Sequence, residues 1–570
     1  MSALISTAEA RELIESRFSK TSISLQELSA REYPEETVFI ARVSAEDMRQ
    51  AAELGVALDG ELQARGFRGF ITIRPVTTKD GVTVSFRPKS GVQDGRTAEL
   101  IALVSARART SEAQPSLAYV PDAVANLAKV TAARHSLIFG RRGAGKTALM
   151  LEAKERIKKD GNLVVWLNLQ TFRRESVQRI ALWILSRLTD ELLTAVRDDS
   201  RRKVLLEATS QLRSEIERLL GQNSVAEAAV TKLVPRLQSV VKRYCDSSER
   251  RLYIFLDDVH YVPRAQQPDL LDLLHACVRD SDAWLKIATI RHFSKWYRND
   301  PPTGLQAGQD ADAIDLDLTL QDPQKAKIFL EAVLAGFAGH VGISPISALF
   351  APDALERLVL ASGAVPRDYL VLAAGSLSHA REREGTKHVG KQDVTRAAGE
   401  IAKAKLAELE DDTASDTSSS RHMLQALQLL RDFCLVDRKF TFFQIDFKDK
   451  EKLPTEYGLL QSLMDVRLIH MVNSSVSDTH RSGERSEVYI LDLSQFSGER
   501  LKKYLRVLDF SAGHIVLKET GTDRKPRIAN TPRRLITILR SAPEFALSRL
   551  SAIIAPSQGA RTSRSRRRPV

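Results

Sequence analysis

The alternation of apolar and polar positions predicts a small domain in the first part of the chain. Strand patterns lie at residues 37–43, 70–76 and 81–89, and helical patterns at 44–66 and 97–108. Gly66 stands where the first of these helices should stop, because glycine readily adopts the backbone angles of a helix C-terminus. We therefore predict an N-terminal α+β domain over residues 1–108, followed by a polar linker at 109–118.

Five short apolar runs then predict a second, larger domain. They lie at residues 136–139, 162–169, 251–262, 282–292 and 311–320. Apolar runs without alternation are typical of strands buried on both faces, and the segments between them have helical spacing. These patterns predict an α/β core over 119–320 with a five-stranded parallel sheet, a helical insert at about 176–244, and a helical lid over 321–410.

The last third of the chain predicts a different kind of domain. Residues 411–420 (DDTASDTSSS) are acidic and rich in Ser and Thr, which favours a flexible linker. Over 421–500 the pattern is helix, strand, helix and two strands, as in a winged helix. Such a domain could contact DNA, a protein partner or another domain of its own chain, and the pattern leaves these alternatives open.

Charge along the chain is uneven. The net charge is +12, and the stretch from residue 523 to the end holds twelve Lys and Arg against two acids. We predict a basic C-terminal segment over 501–570 with a disordered tail, suited to a polyanion such as nucleic acid. A solvated tail without a ligand remains the alternative.

Composition also excludes some classes of protein. We find no run of 18 uncharged apolar residues and no apolar leader at the N-terminus, so we expect neither a membrane span nor a signal peptide. Three widely separated cysteines fit a reducing compartment and offer no metal-ligand spacing. We therefore expect a cytoplasmic protein without a membrane partner.

Residues 138–148 (IFGRRGAGKTA) carry the clearest chemical motif. A strand, a glycine-rich loop and a helix follow one another, so backbone N–H groups can surround phosphate oxygens at a helix N-terminus. Lys146 would bridge the outer phosphates, and the Thr147 hydroxyl would hold Mg²⁺. The predicted nucleotide-binding residues are Gly140, Gly143, Ala144, Gly145, Lys146, Thr147 and Ala148.

Two carboxylates follow the third apolar run. Asp257 directly follows the strand LYIFL and is the better partner for Mg²⁺, while Asp258 would orient the attacking water. Asp258 is one methylene shorter than the Glu often found at such a position, which favours slow hydrolysis. His260 and His275 have no obvious chemical partners in the sequence, and we interpret both as structural.

Two arginines complete the predicted site. Arg291 follows the fourth strand and could report on the γ-phosphate, with Thr289 as the alternative polar group. Arg367 opens a lid helix in GAVPRDYL, from which its guanidinium could fold back onto the phosphates. Each arginine could instead form a surface ion pair with a neighbouring acid.

The order GRRGAGKT, LYIFLDD, IATIRH, GAVPRDYL, QDVTRAA and then a winged helix resembles the AAA+ class of P-loop ATPases. The resemblance covers roughly residues 119–500 and is nearest to the branch of origin-recognition (initiator-type) and STAND ATPases. It implies ATP and Mg²⁺ as cofactors, a cleft between sheet domain and lid, and nucleotide-dependent assembly into homo-oligomers. In such an assembly an arginine reaches the neighbouring subunit's γ-phosphate, and Arg298 is a candidate beside its alternative of a local contact.

The sequence thus predicts an ATP-binding switch that hydrolyses slowly and controls duplex DNA binding through a winged helix and a basic tail. The Asp at position 258 and the Arg at 291 favour a switch over a motor. The alternative is a STAND-like signalling or scaffold ATPase that recognises a protein partner, as in a defence system.

Overall fold

The chain is divided by its internal contacts into two units, Met1–Arg87 and Pro88–Val570. The computed structural model describes residues 5–32, 37–44, 46–75, 91–108, 110–112, 117, 119–121, 125–197, 203–412, 417–477, 484–497, 504–522 and 524–554.

In its described residues, the first unit contains a three-stranded sheet and two helices. Its elements are α1 (Thr7–Ser19), β1 (Leu25–Glu32), β2 (Thr37–Val43), α2 (Met48–Ala64) and β3 (Gly69–Pro75). Strand β2 is central, antiparallel to β1 and parallel to β3. The predicted strands at 37–43 and 70–76 and the helix between them are present, and Gly66 has the expected positive φ of 75°.

The sequence reasoning missed α1 and β1. Only Ala10, Ile14 and Phe18 of α1 are buried, and β1 reads LQELSARE at an edge of the sheet, so neither has a strong apolar pattern. The predicted strand at 81–89 lies outside the described residues.

The second unit begins with an α/β core. Its elements are α3 (Gly95–Arg107), α4 (Asn126–Thr131), β4 (His135–Phe139), α5 (Lys146–Lys159), β5 (Leu163–Asn168), α6 (Val177–Val196), α7 (Lys203–Leu220), α8 (Glu227–Thr231), α9 (Val234–Ser248), β6 (Leu252–Asp257), α10 (Gln267–Val278), β7 (Ala283–Thr289), β8 (Tyr297–Asn299), β9 (Pro302–Gly304) and β10 (Ala311–Asp315).

Five of these strands form a parallel sheet in the order β10-β4-β7-β6-β5. The sequence prediction of a five-stranded parallel sheet is therefore confirmed. Helices cover both faces, so the central strands are almost entirely buried, which explains their uninterrupted apolar runs. The carboxyl ends of all five strands meet at one edge, where parallel α/β sheets bind their ligands.

The helical insert predicted at about 176–244 corresponds to α6–α9. The apolar faces of α6, α7 and α9 share one core with β5, β6 and β7. The insert therefore packs on the sheet and helps to bury one of its faces.

Among the described residues, four helices follow the sheet in the range for which the sequence predicts a lid. They are α11 (Pro323–His340), α12 (Pro352–Ala361), α13 (Pro366–Arg381) and α14 (Lys391–Asp412). Helix α3 also packs here, with Leu100 and Val104 in the lid core and Arg381 donating to the carbonyls of Val92 and Asp94. The boundary predicted at residue 108 is thus corrected, because the apolar stripe of α3 is buried against the lid and not in the first unit.

The C-terminal elements are α15 (Thr417–Arg431), a π-helix (Asp432–Arg438), β11 (Phe442–Asp446), α16 (Phe447–Lys452), α17 (Pro454–Asp465), β12 (Ile469–Ser477), β13 (Arg485–Leu491), β14 (Arg506–Ser511), β15 (His514–Glu519), β16 (Arg527–Ile528), α18 (Pro532–Leu539) and α19 (Ser551–Ile554). Strands β11, β13 and β12 form an antiparallel sheet in that order. The predicted succession of helix, strand, helix and two strands is present, while its assignment as a winged helix stays a prediction.

Two C-terminal predictions need correction. Helices α14 and α15 extend to Asp412 and from Thr417, so much of the expected linker at 411–420 is helical, and 413–416 lie outside the described residues. Residues 504–522 and 524–554 are folded, because the period-two apolar positions of β14 and β15 enter the core shared with the lid. Residues 555–570, the end of the predicted tail, lie outside the described residues.

Within the described parts of the chain, none of the helices is long and apolar enough to cross a membrane.

Candidate functional site

The glycine-rich loop has the geometry that a phosphate site requires. It joins β4 to α5, and α5 begins at Lys146. Gly143 and Gly145 have φ values of 83° and 98°, which side chains rarely tolerate. A Cβ on Gly143 would also lie 2.8 Å from the Cβ of Arg367. The loop residues Gly143, Ala144, Gly145, Lys146, Thr147 and Ala148 all line one cleft.

Lys146 is held inside the loop. Its side chain is buried, with the residue 7% exposed, and its Nζ donates to the carbonyls of Gly140 at 2.8 Å and Arg141 at 3.3 Å. Burial lowers the pKa of Lys146, while the carboxylates of Asp258 and Asp257 oppose that shift. Lys146 also lines the cleft, so its ammonium is held beside the space that a phosphate would occupy.

Thr147 and Asp257 form the polar pair at which a divalent cation could bind. The Thr147 hydroxyl donates to Asp257 Oδ2 at 2.7 Å, and the Asp258 backbone N–H donates to Asp257 Oδ1 at 3.0 Å. Burial, followed by the charge of Asp258, raises the pKa of Asp257 to about 7. A hydroxyl and a carboxylate side by side are the oxygen ligands that Mg²⁺ prefers, so these residues fit the ion.

Asp258 lies beside this pair and faces the cleft. Its backbone is left-handed, with φ of 58°, and its Oδ2 accepts a hydrogen bond of 3.1 Å from the amide of Asn168. The sequence reasoning missed Asn168, although its position at the end of the apolar strand β5 was a usable signal. Because Asn168 pairs in register with Asp257 on the adjacent parallel strand, it is placed to orient the acidic pair.

Arg367 contacts the phosphate loop from the lid. It lies in the first turn of α13, and its backbone N–H donates to the Gly143 carbonyl at 3.3 Å. The residue lines the same cleft as Lys146. The structure thus brings this lid residue to the loop through its backbone, and the contact of its guanidinium with the phosphates stays a prediction.

Arg291 forms a surface ion pair with an acid, which is the alternative that the sequence left open. Its guanidinium lies 4.1 Å from the ring centroid of Phe139 and pairs with Asp315 at 3.1 Å. At this strand end the cleft wall is formed by Ile290 and Asp315. The alternative residue, Thr289, is buried and hydrogen bonds to Ser294. A role at the γ-phosphate would therefore require the Arg291 side chain to leave Asp315.

Arg298, the candidate for a contact between subunits, has a local partner. It lies in the β8–β9 hairpin, and its guanidinium pairs with Asp269 of α10 at 2.7 Å. This partner differs from Asp300 and Trp296, the neighbours that its sequence position suggests.

The cleft itself has a volume of about 1310 Å³. Its floor is the phosphate loop, and α11, α13 and residues 119–121 form its walls. The apolar part is lined by Tyr119, Val120, Ile328, Phe329, Val333 and Leu370. An apolar wall beside a phosphate loop suits a planar base attached to a phosphate chain. Sequence reasoning missed this wall, because its residues come from the lid and the segment before α4.

Comparison with known proteins agrees with this geometry. Residues 120–285 match the family described as AAA ATPase domain, a range that contains the phosphate loop, Asp257 and Asp258. The chain is an ATPase with a P-loop AAA+ fold. The sequence matches no curated protein at a significant level.

Similar solved structures include three nucleotide- or DNA-bound proteins. The Aeropyrum pernix Orc1 protein in complex with DNA is 19% identical, covers 66% of this chain and 90% of its own, and has a TM-score of 0.35. Drosophila ORC bound to DNA is 13% identical, with coverage of 78% and 97% and a TM-score of 0.34. NtrX from Brucella abortus in complex with ATP is 15% identical, with coverage of 74% and 84% and a TM-score of 0.25.

Proposed function

We propose that this chain is an ATP-binding, slowly hydrolysing switch whose nucleotide state controls duplex DNA binding by its C-terminal elements. The main support for this proposal is the position of Arg141. This residue belongs to the phosphate loop, and its side chain hydrogen bonds to the lid and approaches the C-terminal elements.

Arg141 is almost completely buried, with 3% of the residue exposed. Its guanidinium donates to the carbonyls of Leu318 at 2.6 Å and Gly363 at 3.2 Å, and lies 3.5 Å from His470 Nδ1. Leu318 follows the sheet, Gly363 lies in the lid, and His470 is in β12. A change in the loop's shape on phosphate binding would therefore act on three parts of the molecule at once.

Buried charges continue this connection from the lid into the C-terminal elements. Asp368, the neighbour of Arg367, pairs with Arg467 and with Lys405 at 3.1 Å. Lys405 also pairs with Asp492 at 2.9 Å, and Asp492 accepts from His470 at 2.7 Å.

All five side chains are at most 8% exposed. Burial alone raises the pKa of Asp368, yet the charges of Arg467 and Lys405 leave it below its ordinary value. Separating such a network would leave buried charges unpaired, so its members should hold together or open in one step.

Helix α17 is the element that a change of nucleotide state could release from the ATPase core. It lies against the turn Arg291–Phe293, which follows β7 at the edge of the nucleotide site. Pro454 and Thr455 are its exposed residues, and the remainder of the helix is buried or half-buried. The second helix of the predicted winged helix is thus docked on its own chain, one of the alternatives left open by the sequence.

A basic surface remains available beside the β12–β13 hairpin. Arg524, Lys525, Arg527, Arg533 and Arg534 are all exposed, in the stretch that includes β16 and the start of α18. Helix α18 adjoins β12, where Arg540 donates to the Ser477 carbonyl at 2.7 Å. Exposed cations at this density are suited to DNA phosphates, whose neutralisation releases counterions.

The site residues support ATP binding and hydrolysis in a consistent way. Lys146 and Arg367 would contact the phosphates, and Asp258 would orient water for attack on the γ-phosphate. Mg²⁺, when bound at Thr147 and Asp257, would neutralise charge on the phosphate oxygens. Asn168 would keep Asp258 in place through its amide.

DNA affinity should depend on the exposed basic surface and on ATP. Replacing Arg527, Arg533 and Arg534 by Ala should reduce the slope of log affinity against log salt by about 2 to 3, because each lost phosphate contact removes about 0.9. The measurement is fluorescence anisotropy with a duplex at several salt concentrations, with and without ATP. In the parent protein ATP should strengthen binding, and Lys146→Ala should remove that effect.

A triple variant of Lys158, Lys159 and Arg250 to Ala is the matched control. These cations are also exposed, but lie at the other edge of the sheet, in the last turn of α5 and just before β6. Equal salt slopes for the two triple variants would exclude the basic surface as the DNA site. If the DNA affinity of the parent protein is the same with and without ATP, the result favours the signalling alternative, in which a protein partner binds α17.

Binding of Mg²⁺-ATP should strengthen as the pH rises from about 6 to 8. The raised pKa of Asp257, about 7, means that below this pH a proton occupies the carboxylate and must leave before the cation binds. We expect about a tenfold gain in affinity over this range beyond the titration of ATP itself. Calorimetric titrations at three pH values would measure it, with Asp257→Asn as the control that lacks the group. Parallel pH profiles for parent and variant would contradict the assignment.

A further inference from the structure

His260 occupies a position at the site that its sequence context did not reveal. The left-handed backbone of Asp258 turns the chain into a 3₁₀ turn, Val259–Tyr261, and this turn brings the imidazole to the cleft. His260 lines the cleft together with Arg142, Lys146 and Asp258. Its side chain is only 9% exposed.

One nitrogen of this ring is buried and unpaired. Among the residues that the structure describes, His260 Nδ1 has no hydrogen-bond partner. Leaving a buried polar atom unsatisfied is unfavourable, so an atom of this kind in a cleft indicates a ligand or a bound water. The ring is fixed by Tyr261, whose ring centroid lies 4.6 Å away and whose hydroxyl accepts from Arg142.

The ring is also suited to accept a hydrogen bond. Burial, and then the charges of Lys146 and Arg142, lower the pKa of His260 well below its ordinary value. The imidazole is therefore neutral at physiological pH. With its proton on Nε2, a neutral imidazole offers the Nδ1 lone pair.

The spacing of two acceptors indicates what binds there. His260 Nδ1 lies 4.0 Å from Asp258 Oδ1. A water that donates both hydrogens to acceptors at about 2.8 Å holds those acceptors roughly 4.4 Å apart. One water therefore fits between these two atoms with a small adjustment, and its oxygen lone pairs remain directed away from both acceptors.

We propose that His260 Nδ1 and Asp258 Oδ1 together hold the water that attacks the γ-phosphate of ATP. This inference rests on the proposed role of Asp258 in hydrolysis. As the water oxygen bonds to phosphorus, the bond from phosphorus to the bridging oxygen of ADP breaks. One water proton passes to the Asp258 carboxylate, while the hydrogen bond to His260 keeps a lone pair of the water oxygen directed at the phosphorus. The second acceptor compensates for the short side chain of Asp258, which alone would fix the water through a single contact.

Two substitutions distinguish the hydrogen-bonding role of His260 Nδ1 from the packing role of the ring. His260→Phe keeps a planar ring beside Tyr261 but has no acceptor, whereas His260→Asn places an amide oxygen near the position of Nδ1. We expect His260→Phe to lower kcat about 10- to 100-fold with ATP affinity within about twofold of the parent. His260→Asn should recover a substantial part of that loss. Phosphate release at saturating Mg²⁺-ATP gives kcat, and titration with a fluorescent ATP analogue gives affinity.

Parental kcat in His260→Phe would overturn the inference. Equal losses in the Phe and Asn variants would also overturn it, since they would assign His260 to packing. A double variant, Asp258→Asn with His260→Phe, should be no slower than Asp258→Asn alone, because both residues act on one water. If the kcat of the double variant falls by the product of the two single losses, the two residues do not act on one water.

Asp258→Asn alone distinguishes failure of this inference from failure of the proposed function. Hydrolysis at the parental rate by Asp258→Asn would show that Asp258 is not the base, which contradicts the proposed function. Slow hydrolysis by Asp258→Asn together with full activity of His260→Phe would support Asp258 as the base and contradict only the role of His260.

Discussion

Lys146→Ala should lose nucleotide binding by at least about 100-fold, equivalent to about 2.7 kcal/mol. The ammonium is buried in the loop and lies within hydrogen-bond distance of two loop carbonyls, so it is already desolvated before a phosphate arrives. A charged hydrogen bond formed there is stronger than one formed in water. Titration with a fluorescent ATP analogue measures the loss.

The other loop cations cannot replace Lys146. Arg141 is committed to Asp317, Leu318 and Gly363, and the Arg142 guanidinium donates to the Tyr261 hydroxyl at 2.7 Å. Removing the ammonium also takes a neutralising charge away from Asp257 and Asp258, which should leave their region more repulsive toward phosphate.

Lys159→Ala is the matched control for this prediction. Lys159 is an exposed residue at the end of the same helix, so its loss removes an equal charge far from the cleft. The control should bind ATP as the parent does. Thermal unfolding of both variants separates loss of the site from loss of the fold. Parental affinity in a folded Lys146→Ala would be incompatible with the phosphate-loop assignment.

The core and its phosphate loop could be predicted from sequence because both are local signals. Strands buried on both faces have uninterrupted apolar runs such as LYIFLD in β6, and the loop requires glycines at fixed spacing. Asp257 and Asp258 follow from the same logic, since carboxyl ends of parallel strands meet at one edge. These inferences need no knowledge of which distant segments pack together.

The remaining features depend on long-range contacts. The unpaired nitrogen of His260 results from a turn whose direction is set by the left-handed backbone of Asp258. The contact between Arg141 and His470 joins residues 329 positions apart. Helix α3 reads as an ordinary amphipathic helix, and its apolar stripe carries no information about whether it packs in the first unit or on the lid.

The basic C-terminal segment shows how composition can conceal a fold. Excess Arg and Lys predicted a basic segment over 501–570 with a disordered tail, yet the central residues of β14 and β15 are buried, with Leu508 and Phe510 in the core. The exposed cations Arg524, Lys525, Arg527, Arg533 and Arg534 follow these two strands along the chain. A deletion that begins at residue 522 would therefore disrupt a folded sheet, whereas substitution of exposed cations tests DNA contact without that damage.

Asp258→Asn should lower kcat by about 100- to 1000-fold while ATP remains bound with nearly parental affinity. The amide keeps the shape of the side chain, and its oxygen can still accept the hydrogen bond from Asn168. What is lost is the negative charge that would take a proton from the attacking water. Single-turnover phosphate release measures this loss independently of product dissociation.

The same variant should have the opposite effect on cation binding. The charge of Asp258 helps to raise the pKa of Asp257, so its removal should leave more of Asp257 ionised at pH 7. Mg²⁺ should then bind Asp258→Asn at least as tightly as the parent, while hydrolysis falls. Asp160→Asn, an exposed substitution at the end of α5, should change neither quantity. If kcat and Mg²⁺ affinity fall together in Asp258→Asn, Asp258 acts as a cation ligand and the water must be activated by another group; if neither changes, the acidic pair is structural.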